Sequence, residues 1–199
     1  MRKSVNADAP TKDEKIFAEA VRIFRAKGYH ATSMQNIADA VGLQKGSLYH
    51  YIATKEELLF KIFERSTGAL SKQLEEIIAS KNSPAVKLRL AIAAHLAALC
   101  EQLDIYSVYL SERRALTGRY HTKVRAEGER HAVLLERILR QGIDHKDFRP
   151  MDTKMVALAI LGMCNWLYQW YAPQGRLAPN EIAGIFSDIV IDGLTRRRK

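Results

Sequence analysis

The chain has 199 residues, 47% of them hydrophobic, enough to bury a substantial core and too many for a disordered segment. Its 31 Lys and Arg exceed its 22 Asp and Glu for a net charge of +9, which favours a polyanionic partner such as nucleic acid, an acidic membrane surface or a phosphorylated ligand. Cys100 and Cys164 lack C-x-x-C spacing, the opening MRKSVNADAP has no apolar secretion signal, and the apolar run Met155 to Cys164 is far shorter than the ~20 residues of a membrane span, so a reduced, cytoplasmic, non-membrane setting is expected.

Helical periodicity runs through almost every segment, and no alternation marks a strand. Thr11-Lys-Asp-Glu14 has the form of a capping box. It opens a helix with Ile16, Phe17, Ala20, Val21 and Phe24 on one face, which Gly28 can close with positive φ. Ser33 caps a second helix carrying Ile37, Ala38 and Val41 inward, and Gly42 stops it. A third helix is expected over about 45–51. Thr54-Lys-Glu-Glu57 is a second capping box and opens a long helix to about 79. Ser83-Pro84 opens a fifth, with Ser at the cap and Pro at the first position. Helices follow at 105–116 and 119–143, then a turn around Pro150, then helices at 153–171 and 179–196. The basic end, RRRK at 196–199, suits a frayed terminus beside the last helix dipole. The expected fold is all-α with about nine helices. The seam lies near residue 54, where short helices give way to long ones, dividing a domain over 1–54 from a larger one over 55–199.

The short helices have the form of a helix-turn-helix over about 33–52. Two closely crossing helices need a small residue at the contact, and Ala38 is there. The turn between them needs tolerance of positive φ, and Gly42 supplies it. With Leu48 and Ile52 facing inward, Gly46 and His50 face outward, flanked by Ser47 and Tyr49. Gly46 leaves the backbone bare for close approach, and the Tyr49 and Tyr51 hydroxyls suit phosphate oxygens. Thr54 and Lys55 place a helix start beside a cation, an arrangement expected to hold an anion.

The stretch ATSMQNIADAVGLQKGSLYHYIATKEELL resembles the DNA-binding domain of the TetR family of transcriptional repressors. The matching elements are Thr32-Ser33, Ile37-Ala38, Gly42, the run Gly46 to Tyr51, and Lys55 to Leu58, all within about residues 10–60. Tyr51 stands where many members carry Phe, a mild change between aromatic residues. The resemblance implies a homodimer that lays the third helix of each subunit in the major groove of a palindromic DNA operator. It implies DNA contacts at Ser33, Gln35, Gln44, Lys45, Gly46, Ser47, Tyr49, His50, Tyr51 and Lys55. It also implies that the last two helices pair with their copies, through the stripe Ile182, Ile185, Phe186, Ile189 and Val190.

Residues 155–171 are apolar nearly all round, which fits a core helix or the wall of an effector cavity that also borders a dimer. Tyr106, Tyr109, Leu110, Met163, Trp166, Leu167 and Trp170 are the candidate cavity walls. The basic stretch containing Arg113, Arg114, Arg119, Lys123 and Arg125 is either a solvated helix face or the mouth for an anionic ligand, with Arg113 nearest the walls. LGMCNWLYQWYAPQGRLAPNEIA resembles the C-terminal region of regulators of lipid, steroid and aromatic-acid breakdown that answer to acyl-CoA thioesters, so such a thioester is the expected effector. An uncharged or cationic hydrophobic inducer is the alternative. No cofactor is expected. The histidines are scattered without zinc spacing, and the phosphate-loop, dinucleotide and nucleophile-elbow motifs are absent. The competing classes are an enzyme assembled from scattered residues such as Glu112, Arg113 and His121, and, among DNA binders, an activator or a non-specific nucleoid-type protein.

Overall fold

The computed structural model describes residues 10–195; the RRRK run expected to fray lies outside them. Ten helices are present among the described residues: α1 (Lys12–Lys27), α2 (Met34–Ala40), α3 (Lys45–Leu48), α4 (Lys55–Ala79), α5 (Pro84–Glu101), α6 (Leu103–Glu112), α7 (Gly118–Asp144), α8 (Thr153–Asn165), α9 (Leu167–Trp170) and α10 (Pro179–Leu194). A 3₁₀ turn at 113–115 joins α6 to the loop before α7. The only β pairing among the described residues is an isolated bridge between Phe148 and Thr195.

The expected helix starts are seen at atomic level. Glu14 N–H donates to Thr11 Oγ1 at 3.2 Å while Thr11 N–H donates to Glu14 Oε2 at 2.7 Å, a complete capping box. Ser33 and Asn36 make the same reciprocal pair, with Asn in the role usually taken by Glu or Gln. At Thr54 only half the box forms: Glu57 N–H donates to Thr54 Oγ1 at 3.0 Å, but the Glu57 carboxylate reaches one residue further back, to Ala53 N–H. Between α2 and α3, Gly42 adopts φ 66°, and Leu43 N–H closes back onto Ala38 O at 2.9 Å, the ring that a left-handed residue after a helix end makes possible.

Three boundaries differ from expectation. The third helix ends at Leu48, and 49–51 continue as tight turns with His50 N–H on Ser47 O and Tyr51 N–H on Leu48 O. The bend lets Ile52 return to the core, where it is 5% exposed. The 105–116 helix begins at Leu103, directly after a break at Gln102, and tightens into the 3₁₀ turn at its end. The 153–171 helix breaks at Trp166 and resumes as the single turn α9.

One continuous apolar cluster runs from Ile16 in α1 to Leu194 in α10. Helix α4 ties its ends together: it packs against α1, and its buried Leu58, Leu59 and Ile62 share a core with α1–α3, while Leu70, Leu74 and Ile78 are buried further along the same helix. The seam expected at residue 54 falls at the start of α4. Helix α5 is the central rod of the larger part, packed along α4, α7 and α10.

Candidate functional sites

Two regions combine exposure with chemistry. The first is the surface of the α2–α3 unit. Ala38 and Leu48 are fully buried at the crossing, so the opposite side of α3 must face solvent. Gln44, Lys45, Gly46 and His50 are exposed and Ser47 is half-buried. Tyr49 and Tyr51 remain 45% and 39% exposed, unusual for large rings and consistent with hydroxyls held ready for a partner. A Cβ at Gly46 would meet nothing within 4 Å, so the helix surface there is open. Ser33 and Gln35 lie at the edge of this surface with their side chains engaged: Ser33 caps α2, and Gln35 donates to Asp39 Oδ1 at 2.6 Å.

Lys55 departs from the sequence expectation. Its ammonium donates to Tyr29 O and Thr32 O, both at 2.7 Å, and sits 4.2 Å from the centre of the Tyr29 ring. The group is half-buried, and desolvation holds its pKa below the usual lysine range. Lys55 therefore clamps the α1–α2 loop onto the start of α4, with its charge turned inward. At the α4 start Thr54 Oγ1 accepts from Glu57 N–H, and the Glu57 carboxylate accepts from Ala53 N–H just before the helix.

The second region is an open cavity of about 910 Å³ lined by residues of α4, α5, α6, the 3₁₀ turn, α7 and α8. Its size lies within the range of small-molecule sites. Leu70, Tyr106, Tyr109, Val124, Leu158 and Leu161 give it apolar walls. Tyr106 is 3% exposed and its hydroxyl donates to Ser66 O, and burial raises the pKa of both Tyr106 and Tyr109. Exposed Arg113, Arg114, Arg125 and Lys154 also line it. Arg125 is paired with Glu129 at 2.7 Å, whereas Arg113, Arg114 and Lys154 have no carboxylate within 4.0 Å among the described residues. Arg113 lies 5.9 Å from the Tyr109 ring centre.

Of the predicted cavity walls, Tyr106, Tyr109 and Arg113 are present, while Leu110, Met163, Trp166, Leu167 and Trp170 are not. Leu167 is fully buried in the core, and Trp166 and Trp170 are 61% and 51% exposed. The periodicity of α8 explains the error. Its cavity face carries Leu158, Leu161, Gly162 and Asn165, at helical spacings of three and four, and Trp166 lies one position beyond, at the break. Arg119 and Lys123 are also directed elsewhere: Arg119 donates to the Tyr120 hydroxyl at 2.9 Å, and Lys123 sits 5.2 Å from the Phe60 ring centre.

Three polar groups that line the cavity had little sequence signal. His95 is 6% exposed and lines it together with His131 and Asn165. His95 Nδ1 lies 3.4 Å from His131 Nε2, and His95 Nε2 lies 3.0 Å from Asn165 Oδ1. Desolvation pushes both imidazole pKa values down to about 4, so both rings are neutral at pH 7. His131 and Asn165 are 36 and 70 positions from His95 in sequence, and only helix packing brings the three together. The residues considered for an enzyme do not converge: Glu112 accepts from Tyr29 N–H at 3.2 Å, outside the cavity that Arg113 and His121 line.

The larger part of the chain, residues 81–194, matches the family model for the tetracycline repressor-like C-terminal domain, and residues 16–62 match that for bacterial regulatory proteins of the tetR family. The chain belongs to the TetR family. It is a DNA-binding transcriptional regulator and not an enzyme. Among TetR-family relatives, the HTH-type transcriptional repressor KstR2 of Mycobacterium tuberculosis is 26% identical over 179 residues, covering 89% of this chain and 90% of that one. The crystal structure of the regulator PfmR from Thermus thermophilus superposes with a TM-score of 0.83 at 33% identity, covering 91% of this chain and 99% of the other. AibR, solved in complex with isovaleryl coenzyme A and operator DNA, superposes with a TM-score of 0.80 at 29% identity, covering 90% and 97%.

Outside the cavity, α8, α9 and α10 expose Met155, Trp166, Trp170, Ile185 and Ile189. Phe186 and Val190 are half-buried. Ile182, expected in the same stripe, is 3% exposed and belongs to the core, because α10 turns that side toward α5. Among the described residues no helix is long and apolar enough to cross a membrane.

Proposed function

We propose that this regulator is a cytoplasmic homodimeric repressor, released from a palindromic operator when an acyl-CoA thioester fills the cavity. The observation that carries the reading is an apolar chamber with three unpaired cations, Arg113, Arg114 and Lys154, on its exposed lining. An acyl chain matches the walls, and the phosphates of a coenzyme A head group match the cations. The relative AibR, solved with isovaleryl coenzyme A and operator DNA, supports the same class of ligand. The inducer class considered as the alternative, an uncharged or cationic drug, finds less support. Glu136 is already paired with Arg140 at 3.1 Å, and Glu127 accepts from Ser71 and lies 3.9 Å from Arg130.

Two subunits would join through the exposed apolar side chains of α8–α10, with Ile185, Phe186, Ile189 and Val190 of α10 beside Met155, Trp166 and Trp170. A contiguous apolar surface of this kind marks an interface. The α3 start would then read bases through Gln44, Lys45 and Ser47, with Gly46 allowing close approach and Tyr49, His50 and Tyr51 holding the backbone. The physical link between the two regions is α6. Its cavity face bears Tyr106 and Tyr109. From the same helix, Glu112 accepts Tyr29 N–H and Asp104 pairs with Arg25, both anchors to the DNA-binding part. A ligand that prefers a displaced α6 would change the spacing of the two reading heads, and only that differential affinity can release the operator.

Native mass spectrometry of the purified protein against CoA thioesters and the matching free acids, followed by operator release measured by fluorescence anisotropy, tests the reading. Thioester binding that dissociates the DNA complex is the expected result. Thioesters that fail to bind, or bind and leave the complex intact, refute it.

A further inference from the structure

Resting on the reading of the cavity as an effector site, we infer that this site is incomplete in one subunit: a second copy of the chain closes its open side, so that each effector is held between two subunits. The circumference of α8 shows where the opening lies. At about 100° per residue, Leu161, Lys154, Asn165, Leu158 and Gly162 follow one another around one sector of the helix, and all five line the cavity. On one side this sector borders Ala157, Ile160 and Cys164, which are buried in the core. On the other side it borders Met155, Trp166 and Ala159, which are exposed. Leu161 and Asn165 are half-buried, whereas Leu158 and Gly162, next to Met155 and Trp166, are exposed. The lip of the cavity on α8 is therefore the edge of the exposed outer stripe.

Helix α7, which packs against α8, contributes Gly128, Glu129 and Val133 to the exposed lining. Val133 and Leu158 remain 52% and 45% exposed, so an apolar ligand between these two helices keeps one flank in water. Two observations make a second copy the cover. First, the lip is continuous with the face of α8–α10 through which the subunits are proposed to join. Met155, Leu158, Trp166, Trp170, Ile185 and Ile189 together expose roughly 700 Å², close to the about 800 Å² that each partner gives to an interface of standard size. Second, a Cβ at Gly162 would meet nothing within 4 Å, so a facing helix can approach the lip closely.

The reach of such a helix follows from its width. Gly162 and Leu158 lie about 40° and 80° from the middle of the outer stripe, roughly 4 and 7 Å around a helix about 10 Å across. A helix of the same width laid on the stripe covers Gly162, and its side chains reach Leu158. A two-fold contact brings the same face of both copies together, so both mouths close at once and the dimer holds two effectors. An effector touched by both copies binds the dimer more tightly than the monomer, and by reciprocity it tightens the dimer. Covering roughly 60 Å² more of its apolar surface corresponds to about a tenfold gain at each site. Two filled sites then tighten the dimer about a hundredfold.

The test uses isovaleryl-CoA and octanoyl-CoA on the full chain. Ile185 does not line the cavity, so Ile185→Asp disrupts the α10 face and leaves the cavity's own lining unaltered. Its monomers, checked for folding by thermal melts, should bind the thioesters at least about tenfold more weakly than the parent dimer in isothermal titration calorimetry. The parent should bind two thioesters per dimer. A second measurement covers a variant that does not fold: the milder Ile185→Ala brings dimer dissociation into the range of analytical ultracentrifugation, and saturating thioester should lower its dissociation constant about a hundredfold. Folded monomers that bind with parent affinity, or a dimer whose dissociation constant is unmoved by bound thioester, overturn the shared site and leave the effector reading in place. An Ile185→Asp chain that stays dimeric overturns the covering face and with it the shared site. Absence of thioester binding to the parent dimer overturns the effector reading and the shared site together.

Discussion

Lys55 separates a structural lysine from a DNA-binding one. Its ammonium makes two 2.7 Å hydrogen bonds, to Tyr29 O and Thr32 O, and the loop they hold connects α1 to α2. Lys55→Met keeps the apolar stem and removes both bonds. Hydrogen bonds to a charged donor contribute roughly 1.5–3 kcal/mol each when buried. Because the group is only half-buried, and water can reach the released carbonyls, the expected loss is about 2–3 kcal/mol for the pair. For a chain of this length that lowers the melting midpoint by about 4–12 °C. Operator affinity should also fall, because α2 and α3 lose their anchor. The slope of log affinity against log salt should stay the same, since no phosphate contact is lost. Thermal melts by circular dichroism and anisotropy titrations at several salt concentrations measure both. A midpoint within a degree of the parent, with a salt slope shallower by about one, would show that Lys55 neutralises a phosphate and that the carbonyl clamp is unimportant in solution.

Gly142→Ala should destabilise the fold by about 1–3 kcal/mol in urea unfolding, because the new Cβ would lie 2.0 Å from the ring of fully buried Phe148; an unchanged midpoint would mean that α7 and the 145–150 loop adjust freely. Ile185→Asp should yield monomers in analytical ultracentrifugation and weaken operator binding sharply, because it places a charge among exposed apolar side chains of α10; an intact dimer would remove α10 from the proposed interface. Stability should fall as pH drops below about 6.5, the unfolded imidazole value. The folded pKa of His95 lies near 4, so the unfolded chain takes up the proton first. The loss attributable to His95 is roughly 2 kcal/mol at pH 5 relative to pH 7 and levels off below pH 4. Urea midpoints that do not change between pH 7 and 5 would contradict the burial of a neutral His95.

Local signals carry the DNA-binding part of the molecule. Thr11 with Glu14, Ser33 before α2 and Gly42 in the turn act within a few residues of themselves, so their effect on the backbone is visible in the order of residue types. Periodicity places Leu48 and Ile52 inward, and both are buried. The chamber depends on relations that periodicity does not contain. Residues 155–171 are apolar on every side, and nothing within the segment says which side meets α7, which meets solvent and which lines a void. That is why the pattern alone points Trp166 and Trp170 to the cavity and Ile182 to an outer face. Lys55 shows the same limit for charge: a lysine after a helix cap looks the same whether it points to solvent or to Tyr29 O and Thr32 O, 26 and 23 residues away. His95, His131 and Asn165 come from three helices and carry no shared motif. Their hydrogen-bonded chain exists because α5, α7 and α8 pack against one another, and the long-range packing of those helices decided which polar groups line the cavity.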